Sequence, residues 1–125
     1  MTPQLADKFR RWTLVQYRDS KNRLSINGLE DRPFLIFMED GKIAGSGGCN
    51  RFFSSYEATE TSLRTGLIGS TLMYCNDPPW LMDLEGDFFR CLEKGSRFEL
   101  IENSLEIFDV EGNKLLSFKR DENWP

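Results

Sequence analysis

Residues 41–57 read GKIAGSGGCNRFFSSYE, with four glycines, a cysteine and an asparagine just ahead of three aromatic rings. Two readings of this stretch stand side by side. Gly45, Gly47 and Gly48 lack a Cβ, so the backbone can bend sharply or approach a neighbouring strand closely, as the corner of a curled sheet requires. Cys49 then fills a small core gap, and Asn50 adopts a left-handed backbone while bonding nearby amides. Alternatively, the same corner is the rim of a pocket lined by Phe52, Phe53 and Tyr56. The structural reading is preferred, because aromatic stripes usually mark a core.

Alternation supports a sheet on both sides of this stretch. RWTLVQYRD carries the period-two pattern of a strand, and FLIFMEDGKIAGSG reads as a hairpin turning through Glu39–Gly41. Phe34 to Met38 are all apolar, which predicts cover on both faces. SKNRLSINGLEDRP between them reads as a polar connection with an Asn27–Gly28 turn. RFFSSYE is a further strand, and SLRTGLIGSTLMYC holds one or two more, broken at Gly66 or Gly69. One helix is expected at about 78–94, capped by Asp77, with proline in its first turn and Gly95 as its stop. Leu81, Leu84, Phe88, Cys91 and Leu92 form its buried stripe, opposite a wet face of Asp83, Asp87, Arg90 and Lys94. RFELI, SLEIFDV and KLLSFKR close the chain as a meander. The expected fold is α+β and mostly β: about eight antiparallel strands in a curled, partly open barrel. The single helix is inserted before the last three strands. No repeat or linker divides the 125 residues, so a single domain over 1–125 is expected.

The chemistry available to the chain is narrow. It contains no histidine, which removes Ser-His-Asp and Cys-His catalysis and mixed Cys/His zinc sites. No phosphate-binding G-x-x-x-x-G-K-[ST] occurs, and GSGGCN leads into a strand rather than a helix, so the dinucleotide reading lacks its context. Carboxylates are scattered over turns and the helix face, as solvated charges are. No catalytic residue, cofactor or metal is therefore assigned. The formal charge of −4 and a pI near 4.9 give no general attraction for nucleic acid. KFRRW is the one dense positive patch.

Cys49, Cys75 and Cys91 are widely spaced. Three reduced, mostly buried thiols are expected of a chain with no signal-peptide pattern, no lipid-anchor cysteine and a cytoplasmic location. Spacing leaves a Cys49–Cys75 disulfide open without assigning it. A reactive thiol needs a nearby cation or helix N-terminus, and Cys75 does stand close to the helix start.

The residues also carry a pattern. Gly48, Cys49, Asn50, Phe52 and Tyr56, followed by Thr71, Met73 and Cys75, then the helix and LEIFDVEGNKLLSF, resemble the META domain family, which includes the bacterial heat-shock protein HslJ. Trp12 and Leu14 match its opening strand, so the resemblance covers nearly the whole chain. It implies a small, partly open barrel with one helix and no established enzymatic activity. Members are associated with heat shock, drug tolerance and secretion or virulence, and many are envelope-associated. The motif residues are implied to be shape-makers. Three functions are carried forward. The first is a non-catalytic, stress-associated module that binds a protein or other macromolecule. The second is a carrier of an apolar small molecule in the barrel mouth, and the third a thiol-based redox sensor using Cys49 and Cys75.

Overall fold

The structure is a computed structural model, and it describes residues 11–29 and 32–120. Of the basic cluster KFRRW, residues 8–10 lie outside the described residues. Ten strands and one helix follow in the order β1 (Arg11–Arg18), β2 (Leu24–Ile26), β3 (Phe34–Phe37), β4 (Lys42–Ser46), β5 (Arg51–Ala58), β6 (Leu63–Thr65), β7 (Gly69–Ser70), α1 (Leu81–Lys94), β8 (Arg97–Ile101), β9 (Ser104–Phe108) and β10 (Lys114–Arg120). The main path of the antiparallel sheet runs β6-β5-β4-β3-β1-β10-β9-β8, with β2 beside β1 and β7 beside β5. Its two ends nearly meet. Leu63 N–H donates to Ser96 O (3.1 Å) and Phe98 N–H to Thr61 O (2.9 Å), around an isolated Ser62–Arg97 bridge. The result is a mostly β, nearly closed barrel with one unsealed seam and a single helix packed on β1, β10 and β6.

The core follows from alternation. Trp12 and Leu14 on β1, Leu35 and Phe37 on β3, Ile43 on β4 and Phe52 on β5 all point inward, as residues two apart on a strand must. Phe88 of α1 inserts among them, with ring centroids 5.7 Å from Phe52 and 6.1 Å from Phe118, both edge-on as aromatic quadrupoles prefer. The expected double cover of Phe34–Met38 holds in part. Leu35 and Phe37 are buried, whereas Phe34, Ile36 and Met38 are half-buried.

Strand β2 lies inside the stretch expected to be a connection. Asp19 builds the turn that returns it to β1, accepting from Lys21 N–H (2.9 Å), Arg23 N–H (3.0 Å) and the Ser25 hydroxyl (2.8 Å). The helix begins at Leu81 rather than 78. Pro79 disfavours helical dihedrals at Pro78, and Pro78 does the same at Asp77. Trp80 takes the cap position without a side-chain bond, so Asp77 does not cap the helix. Its expected stripe is buried, but Asp87 of the expected wet face is buried as well and pairs with Arg90 at 2.7 Å. Among the described residues, no helix is long and apolar enough to cross a membrane.

Candidate functional site

The glycine corner joins β4 to β5, and sterics explain its composition. A Cβ on Gly45 would lie 2.2 Å from the Phe34 carbonyl oxygen across the strand pair. Gly48 has φ +117°, a backbone that side chains with a Cβ rarely adopt. A Cβ on Gly47 would meet Glu85 Cγ at 2.6 Å, which shows how closely α1 approaches here.

That approach delivers a carboxylate. Glu85 is 4% exposed, and its Oε1 accepts from Cys49 N–H (3.0 Å) and Asn50 N–H (2.6 Å). Its Oε2 accepts from Asn50 Nδ2 (2.7 Å). Successive backbone N–H groups around a glycine turn form a concavity suited to an anion. In this protein the anion is the chain's own side chain.

Asn50 completes the corner. Besides Glu85, its Nδ2 donates to Met73 O (3.1 Å), and its Oδ1 accepts from the Thr71 hydroxyl (2.8 Å) and Met73 N–H (2.7 Å). Both amide protons and both oxygen lone pairs are thus engaged, the full capacity of the side chain. Only one orientation of the amide satisfies this set, since a flip would point NH₂ at the Met73 N–H.

Cys49 and Cys75 form a disulfide with Cα atoms 5.8 Å apart. This corrects the expectation of three reduced, mostly buried thiols: Cys91 alone is free and buried, while Cys49 and Cys75 are paired and half-exposed. Cys49 therefore fills no core gap. Asn50 bonds nearby amides as expected, but the left-handed backbone of the corner belongs to Gly48. Burial raises the pKa of Cys91, whose Sγ donates to Arg18 O at 3.3 Å.

The structure therefore brings Gly48, Cys49, Asn50, Thr71, Met73 and Cys75 to one place. Phe52 is 1% exposed and sits in the core, its ring 5.2 Å from Phe89. Tyr56 lies edge-on to Phe37 at 4.9 Å and donates its hydroxyl to Met38 O (2.9 Å). Burial raises its pKa, with Asp40 and Glu39 adding to the effect. Phe53 points the other way and is 60% exposed. These three rings do not line one pocket. Phe53 borders an open outer groove of about 500 Å³ with Met38, Lys42, Ala44, Leu67 and Ile68.

Two features of the site escaped the sequence reading. Glu85 is the first, although its signal was present: it stands four residues after Leu81 and three before Phe88, inside the apolar stripe. The second is the strap between β7 and α1, which carries Leu72 at 96% and Tyr74 at 78% exposure beside exposed Met73. Chemically, Glu85 is a buried carboxylate whose two oxygens both accept from donors of the corner. The reactive bond of the site is the disulfide. Among the described residues, no group of three or more Cys, Asp or Glu is placed to hold a metal.

Comparison with known proteins agrees with this architecture. An NMR structure of a protein from Burkholderia xenovorans superposes with a TM-score of 0.71 at 22% identity, covering 96% of this chain and 86% of that one. A second NMR structure gives 0.67 at 24% identity, with 95% of both chains covered. A crystal structure of a DUF4847 family protein from Bacteroides vulgatus gives 0.66 at 13% identity, with 96% of both covered. No curated protein matches the chain. The META domain pattern matches residues 4–122, almost the entire sequence. The chain belongs to the META domain family.

Proposed function

We propose that this protein is a non-catalytic, stress-associated module that acts by docking on another protein through the strap and its surroundings. One observation carries the reading: Leu67, Leu72, Met73 and Tyr74, together with Phe53, expose large apolar side chains along a short length of chain. Scattered apolar residues on a surface need no explanation, but a concentration of them marks an interaction site. The strap is also fastened before any partner arrives, by Asn50 and by the disulfide. Fastening lowers the ordering cost that binding would otherwise incur.

Photo-crosslinking from position 72, with position 110 as an exposed control elsewhere, tests this reading. A protein captured at 72 and not at 110, whose binding in purified form is lost in Leu72→Asp and Tyr74→Asp, supports docking. Turnover of a defined substrate that is lost with those substitutions would replace it with an enzymatic reading.

The outer groove beside Phe53 favours a second reading, an apolar small-molecule carrier, because its lining is mainly apolar. Native mass spectrometry of freshly purified protein separates the two readings. A retained ligand of lipid mass supports the carrier, and a clean apo mass removes it.

A further inference from the structure

We propose that the Cys49–Cys75 disulfide is a site of thiol–disulfide exchange, opened by a dithiol reductant while the barrel stays folded, and that it acts as a clasp on the strap alone.

The fastenings of the strap divide at residue 73. Up to that point they are hydrogen bonds: Thr71 N–H to Arg51 O (3.1 Å), and the Asn50 side chain to the Thr71 hydroxyl and to both backbone groups of Met73. Beyond it, Tyr74, Asn76 and Asp77 make no hydrogen bond to any described residue. The chain is next held by the turn in which Leu81 N–H donates to Pro78 O (3.0 Å) and by the Trp80 ring, which packs beside Gly28. Over residues 74–79 the disulfide is thus the one strong tether to the barrel among the described residues. Both cysteines are half-exposed, and Tyr74, Asn76 and Asp77 around them are exposed, so an external thiolate can reach the sulfurs.

Exchange here leaves the corner standing. A thiolate of the reductant attacks one sulfur, the Cys49–Cys75 bond breaks, and the other cysteine leaves as a thiolate that takes up a proton. The reductant's second thiol then attacks the mixed disulfide, releasing the remaining cysteine as a thiol and the reductant as its cyclic disulfide. Two electrons pass from the dithiol to the protein. Nothing in these steps touches the bonds from Cys49 N–H and Asn50 to Glu85. Cys91 stays outside the exchange, because it is 1% exposed and hydrogen-bonded to Arg18 O. The inference goes beyond docking and holds whether or not Leu72 and Tyr74 meet a partner.

The test uses the oxidised full chain, isotopically labelled and treated with dithiothreitol below its melting temperature. Alkylation should then find two new reactive thiols, with Cys91 still protected. Backbone order parameters of Tyr74, Asn76 and Asp77 should fall from a rigid value near 0.85 to below about 0.6. Those of Asn50, Thr71 and Met73 should hold, and oxidised glutathione should restore the starting state. A disulfide that yields only when the barrel melts would overturn the proposal. So would a loss of order that spreads through β4 and β5, or no change at 74–77. A Cys49→Ser, Cys75→Ser double variant, if it folds, should show the reduced pattern without reductant, and the oxidised pattern in it would count against the clasp.

Discussion

Asn50, just ahead of β5, and Phe52, on it, stand two residues apart and belong to regions built by opposite rules. Phe52 enters an interior of rings and branched side chains, where many weak contacts share the load. Asn50 enters a corner where every donor and acceptor has one designated partner. The interior needs volume, and several residue types supply it. The corner needs a particular pattern of protons, which no isostere reproduces. The difference teaches where this fold is tolerant and where it is not.

The sharpest way to break the comparison is a pair of substitutions, one keeping shape in the corner and one keeping apolar character in the interior. Asn50→Asp keeps the shape but sets a second carboxylate against Glu85, with donors to Met73 O and Glu85 lost, and should cost about 3–5 kcal/mol in urea unfolding. Phe52→Leu removes much more volume yet keeps the apolar character, and should cost no more than about 1.5 kcal/mol by the same measurement. Equal losses would erase the distinction between the regions.

Cys75→Ala comes next. The disulfide closes a loop across a sequence separation of 26, and in the chain-entropy model its removal costs about 3.5 kcal/mol. Glu85→Gln should cost about 2 kcal/mol, since a charged acceptor is replaced by an amide that can offer only one acceptor atom to three N–H donors. Phe53→Ala, on the outer face, should stay within about 0.5 kcal/mol. Chemical denaturation ranks all of them.

The smallest expected effect lies far from the corner. The Ser25 hydroxyl, with the N–H groups of Arg23 and Lys21, holds the Asp19 carboxyl below its ordinary range. A carboxyl lowered in the folded state stabilises above its unfolded pKa, and that contribution disappears as pH falls through the lowered value. Asp19→Asn should therefore melt slightly below the parent at pH 7, and the gap should close in strong acid.

Much of this arrangement was legible beforehand. The β3–β4 hairpin, the closing meander and the buried stripe of α1 follow from local periodicity, which a single chain displays. The resemblance to the META domain family pointed to residues within 48–50 and 71–75. It did not say how they meet, because the disulfide and the Asn50 bonds join segments more than twenty residues apart. Strand β2 was invisible for a different reason: at three residues its Leu-Ser-Ile alternation is too short to register, and both of its apolar side chains are exposed. Glu85 was hidden by habit, since a carboxylate on a helix is usually solvated. Phe53 shows the limit of reading a motif by composition: neighbouring rings on one strand face opposite ways, so three aromatics do not make a pocket.

The central claim is that the glycine corner is closed upon an internal carboxylate rather than open to a ligand. Hydrogen exchange of the Cys49 and Asn50 amides, followed by NMR in the parent and in Glu85→Gln, tests it most directly. Protection of both amides comparable to the Trp12 and Leu35 amides, lost at these two positions first in the variant, is the result expected. Rapid exchange of both amides in the parent protein would contradict it.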